Sequence, residues 1–124
     1  MNIDLNKNFH PKMEEAINHF NNSDWYIAHD VFEEIWHETI EPERKTIQGI
    51  LQIAVAQLHI ERGNINGATI LYGEALGRLK GNIKINLGLD IEDLCSCISM
   101  RLQTLQIHKS VGETKEPCIK FLTK

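Results

Sequence analysis

The residues best placed to do chemistry lie in the run Trp25-Tyr-Ile-Ala-His29-Asp-Val-Phe-Glu33-Glu-Ile-Trp36-His37. At about 100° per residue, Trp25, Ala28, Phe32, Ile35 and Trp36 form one apolar stripe of a helix. His29 and Glu33 lie on its flank, one turn apart, where an imidazole and a carboxylate can meet. Glu34 and Asp30 fall further round, in solvent. A second run, from Ile47 to Ile60, reads as a central helix. Ile47, Ile50, Leu51, Ala54 and Leu58 make one apolar face, and Ile53 and Ile60 with Gly49 and Ala56 make another. Between them runs a polar stripe of Gln48, Gln52 and His59, within about 40° of arc. A buried polar group without a partner costs about 1–3 kcal/mol. The expectation is therefore a polar pocket between these two helices, made by His29, Glu33, Gln48, Gln52 and His59.

Three chemistries fit such a pocket. It is a structural hydrogen-bond network that sets helix register. Or His29, Glu33 and His59 bind a divalent metal such as zinc, manganese or iron, with an open position for a water that ionises near neutral pH. Or Glu33 raises the basicity of His29, and the pair works as a metal-free general base. The His-Asp-x-x-Glu spacing is not the His-Glu-x-x-His of zinc proteases. A metal needs an imidazole from a second helix, and only His59 or His108 offers one.

Five helices position these groups. Pro11 suits the first turn of a helix over about residues 11–21. The cluster Asn21-Asn-Ser-Asp24 opens a second, about 24–39, and Glu41-Pro-Glu43 a third, about 42–62, which ends at Gly63. Asn64 caps a fourth, about 65–80, stopped by Gly81, and Asp90 caps a fifth, about 91–108. No segment alternates with a period of two beyond a few residues. The fold class is all-α, a mostly antiparallel up-and-down bundle in one domain, with a loose tail from about residue 112. Gly73 and Gly77 lie beside Ile70 on the non-core side of the fourth helix. Glycine costs about 1 kcal/mol in a helix relative to alanine, so close approach by another helix is one reason for them.

A chain of 124 residues with 42% apolar and 24% charged residues is a globular sequence that needs neither disulfides nor a structural metal to hold its core. The net charge of −4 argues against nucleic acid or an anionic membrane as the main partner. The three cysteines, Cys95, Cys97 and Cys118, fit a reducing cytoplasm. The polar start, Met1 to Asn8, carries no signal region. The most apolar stretch is broken by glutamines and His59 and is shorter than the about 20 residues that span a bilayer.

The run His29-Asp-Val-Phe-Glu33-Glu-Ile-Trp36, then Pro42-Glu-Arg44, Ile47-Gln48-Gly49-Ile-Leu-Gln52-Ile-Ala-Val-Ala56, His59 and Arg62-Gly-Asn64, resembles the family of domain of unknown function 309. The resemblance covers about residues 17–80. It implies a small helical bundle, and some relatives carry the label of a predicted metal-dependent hydrolase. His29, Glu33, Trp36, Arg44, Gln48, Gly49, Gln52 and His59 match the family's motif positions. On that reading His29 and Glu33 are the catalytic pair, and Trp36, Arg44, Gln48 and Gln52 line the pocket. Arg44 either pairs with Glu33 or Glu34 or holds an anionic ligand. The family's glycine before the aromatic pair is Ser23 here, which puts the local turn in question. The other reading is a non-catalytic interaction or self-associating helical module, binding a protein or small-molecule partner, in which the polar network is structural. The helical hairpin of the third and fourth helices looks like one tetratricopeptide unit, but no second copy follows.

Overall fold

The computed structural model describes residues 9–122; the polar start, Met1 to Asn8, lies outside the described residues. Five α-helices follow one another: α1 Met13–Asn21, α2 Trp25–His37, α3 Glu43–Glu61, α4 Ile65–Gly81 and α5 Ile91–Gln106. Each starts and stops within two residues of its sequence-based expectation. Two caps work through their side chains. Asn64 Oδ1 accepts the Gly67 N–H at 3.0 Å, and Asp90 Oδ1 accepts the Asp93 N–H at 3.0 Å. The sole pairing of extended backbone among the described residues is one antiparallel bridge between Leu89 and Phe121.

Helices α1, α3 and α5 end in the same way. The second residue past the helix adopts a left-handed conformation, and the next N–H reaches back to a carbonyl five residues earlier: Asp24 to His19, Asn64 to His59 and Lys109 to Thr104. The left-handed residues are Ser23 (φ 61°), Gly63 (φ 77°) and His108 (φ 60°). Ser23 therefore keeps the turn that a glycine makes with less strain, and its Oγ donates to Glu116 at 2.8 Å.

Packing runs in chain order: α1 on α2, α2 on α3, α3 on α4 and α4 on α5. One core of buried side chains joins all five, from Met13, Phe20 and Phe32 through Ile50 and Tyr72 to Ile98. The seam between α3 and α4 is the tightest. A β-carbon at Gly49 would stand 2.8 Å from Leu79 Cγ and Cδ2 and 3.5 Å from the Ala75 carbonyl.

The stretch after residue 112, expected as a loose tail, instead lies along the bundle. Val111, Pro117 and Ile119 are buried. Asn21 binds both sides of the Ile119 peptide, donating to its carbonyl at 2.9 Å and accepting its N–H at 2.7 Å. The N–H of Asp90 donates to Lys120 O, and that of Leu122 to Gly88 O. The tail so ties the end of α1 to the start of α5. Asn21 is 98 residues from Ile119, and Asp90 and Gly88 also lie far from their tail partners, which is why local pattern did not reveal them.

Leu79 is fully packed and its Cγ cannot swing aside without moving the core. Gly49→Ala is accordingly expected to lower stability by about 1–3 kcal/mol in urea unfolding, the cost of an overpacked site.

Candidate functional site

Helix α2 forms because its apolar residues recur at helical spacing and bury Trp25, Ala28, Val31, Phe32 and Ile35. His29 and Glu33 stand on the flank of that face and do meet, with His29 Nε2 3.7 Å from Glu33 Oε2. The other ring nitrogen, Nδ1, lies 3.1 Å from Asp30 Oδ1. The imidazole thus sits between two carboxylates, both of which are about half exposed. Water competes for such contacts, and exposed pairs contribute little to stability.

The polar stripe of α3 does not close a pocket with this pair. Gln52 turns to α4, donating to Glu74 Oε1 at 2.8 Å and accepting from Arg78 Nε at 3.0 Å. His59 Nδ1 lies 3.0 Å from the Asn64 amide nitrogen, at the turn into α4. Gln48 stays half-buried on α3. Among the described residues no three His, Cys, Asp or Glu side chains gather as a metal-holding group, so His29, Glu33 and His59 are not brought together. The donor set does not fit a divalent ion, which would require His59 to leave Asn64 and cross to α2.

Arg44 also departs from expectation. Its guanidinium stacks on the Trp36 indole, 3.7 Å from the ring centroid, with the His37 ring 5.0 Å from the same indole. Glu34, one of its candidate partners, is held by Lys12 instead. Arg44 Nε and Trp36 Nε1 are both buried with no hydrogen-bond partner. The cation–π contact compensates part of that desolvation and pins the start of α3 to the end of α2.

The buried polar network of this protein lies elsewhere. Gln57 (2% exposed) accepts the Tyr72 O–H, and the Tyr72 oxygen accepts from Arg101 Nε at 2.8 Å. Arg101 (2% exposed) then donates from Nη1 to Thr114 Oγ1 at 3.0 Å and to the Lys115 carbonyl at 3.1 Å. This chain of donors joins α3, α4, α5 and the tail. A signal for it existed: on the helical wheel Gln57 falls between Ile50 and Ile53, roughly 20–40° from each. Arg101 likewise falls about 20° from Leu94 on the apolar face of α5. A polar residue inside an apolar stripe demands a partner as much as one beside it does.

Burial pushes the Tyr72 phenol up to about 12, against the opposing pull of the Arg101 charge. The thiols of Cys95 and Cys97 are also pushed up by burial, which keeps them protonated and poor as nucleophiles.

Several clefts open on the surface. One of about 480 Å³ is lined by Lys80, Glu92, Cys95 and Met100, and one of about 230 Å³ by Asp93, Cys97, Thr114 and Lys115. One of about 370 Å³ runs along Gly73, Gly77 and Gly81 between Lys45, Glu74 and Arg78. One of about 580 Å³ lies between the start of α4 and the end of α5. None of these four is lined by His29, Glu33 or Trp36.

Tyr72→Phe strips partners from both Gln57 and Arg101 and should cost about 2–3 kcal/mol. Its pH signature has a definite sign. The folded phenol holds its proton above the pH at which the unfolded phenol loses it, so the wild type should lose stability as pH rises from about 10 to about 12. The Tyr72→Phe variant should lack that part of the decline when both proteins are melted across this range.

Residues 13–71 match the family model described as Domain of unknown function (DUF309). No curated protein and no solved structure was found to match the chain. The matched segment runs from α1 into the second turn of α4 and contains the His29–Glu33 pair, the Trp36–Arg44 stack and the close approach at Gly49. Over that segment the chain is similar to the DUF309 family, a family whose function its own description leaves open.

Proposed function

We propose that this protein is a non-catalytic helical interaction module that self-associates through the open face of α4. The observation that carries the reading is the row Gly73, Gly77 and Gly81, where a β-carbon would meet nothing within 4 Å. With Ile70, which is 61% exposed, these glycines span roughly 80° of the helix surface. Three such residues in one exposed row weaken the helix, and no neighbour among the described residues uses the space they leave. A second helix backbone can approach there closely.

The charges beside the row suit a second copy. Gln52 holds Glu74 and Arg78 in fixed positions one turn apart. A two-fold axis beside Gly77 sets Glu74 of each copy against Arg78 of the other, a self-complementary arrangement. The polar groups of α2 and α3 then act structurally, each tying one turn or one pair of helices. A cytoplasmic setting accords with three free thiols. No described helix is long and apolar enough to cross a membrane.

The hydrolase reading retains the His29–Glu33 contact as its support, with the pair acting as base and orienting carboxylate. Its metal-dependent form lacks a third ligand among the described residues.

Light scattering of the tag-free protein is expected to give the mass of two chains, and Gly77→Leu to give one chain at unchanged helicity. A wild-type mass of one chain at all concentrations up to about 100 μM, well above the Kd of standard interfaces, sinks the self-association reading. Metal analysis after incubation with Zn²⁺, Mn²⁺ or Fe²⁺ is expected to find no stoichiometric ion. His29→Ala should change stability by less than about 1 kcal/mol, because its carboxylate partners are solvated. One tightly held metal ion per chain, lost in His29→Ala, would restore the metal hydrolase in place of the module.

A further inference from the structure

The cleft between the start of α4 and the end of α5 combines features found together in none of the other three. Its volume of about 580 Å³ is that of a small-molecule site. Ile60, Ile65, Leu105 and Val111 supply an apolar lining. Asn66, His108, Lys109 and Ser110 supply polar groups, all on exposed residues that a ligand can reach. No carboxylate lines it among the described residues, although the chain carries 17 acids against 13 lysines and arginines. Each of the other three clefts contains at least one: Glu92, Glu74 or Asp93.

His108 adds an independent observation. It occupies the left-handed position of the α5 terminus (φ 60°), where the equivalent residue after α3 is glycine. A histidine there is strained relative to glycine, and strained positions of this kind cluster at ligand sites. Ser110 Oγ accepts the Gly112 N–H at 3.1 Å, so its own proton remains available to donate.

We propose that this cleft binds a small carboxylate with a short apolar body. The body lies on Ile60, Ile65, Leu105 and Val111, and the carboxylate accepts hydrogen bonds from Lys109 Nζ, the His108 imidazole and Ser110 Oγ. An anion without a body leaves the apolar lining uncovered. An apolar cation of the same shape brings like charge to Lys109.

Calorimetric titration of the full chain with octanoate tests this. Octylammonium serves as the probe with the same body and opposite charge, and inorganic phosphate as the anion without a body. The expected result is saturable, one-to-one binding of octanoate at millimolar concentration or tighter, with both other probes at least about tenfold weaker. Lys109→Ala should weaken octanoate at least about tenfold, as expected for the loss of one charge-assisted hydrogen bond. Lys80→Ala, in a separate cleft at the other end of α4, should leave it unchanged. His108→Gly separates ligand binding from folding, because it should raise the melting temperature while weakening octanoate severalfold. The proposal is overturned if octanoate does not saturate, or if phosphate or octylammonium binds as well. It is equally overturned if Lys80→Ala weakens octanoate as much as Lys109→Ala does, or if His108→Gly leaves the octanoate affinity unchanged.

Discussion

At Gly49 the surfaces of α3 and α4 meet with no room for even a methyl group, and most of the structure depends on that approach. It lets Leu79 and Ala75 seat directly against α3, and it brings Tyr72 within reach of Gln57. It also sets Gln52 against Glu74 and Arg78 at hydrogen-bond distance. A central helix that is apolar on two sides must have its few buried polar groups answered by its neighbours. The close seam is what makes α4, and not α2, the neighbour that answers.

The Gln57–Tyr72–Arg101 chain extends the same seam outward. Tyr72 both donates and accepts, so one phenol joins an amide on α3 to a guanidinium on α5. Nη1 of Arg101 donates to Thr114 and to the Lys115 carbonyl, which holds the start of the tail. From there the tail crosses to Asn21 at the far end of the bundle. Helices that pack only in chain order would leave α1 and α5 joined by core contacts alone; the tail adds hydrogen bonds between the two ends.

This distribution of polar groups bears on function. In a catalytic pocket, groups from several elements converge on one space. Here the motif residues of α2 and α3 diverge: His29 and Glu33 to one another in solvent, Arg44 to Trp36, Gln52 to α4 and His59 to Asn64. Each ties one turn or one pair of helices. Two of the open spaces lie on α4 and at the ends of α4 and α5, where glycines or mixed apolar and cationic side chains face outward.

Helix limits, the Asn64 and Asp90 caps, the apolar stripes and the contact of His29 with Glu33 were all legible in the sequence. Each is a consequence of spacing within one helix, where about 3.6 residues per turn makes neighbours computable. Partner choice across helices was not legible. Gln52 and His59 share an arc with Gln48, and periodicity says that this arc is polar without saying which element lies opposite. Gln57, Tyr72 and Arg101 are separated by 15 and 29 residues, and only packing could bring them together. The docked tail is likewise a matter of tertiary structure, since its partner Asn21 sits almost a full chain away. Local spacing thus determined which groups are polar, buried and helical, while the close approach of α3 to α4 decided which of them meet, because contact between helices depends on backbone distances that no single helix encodes.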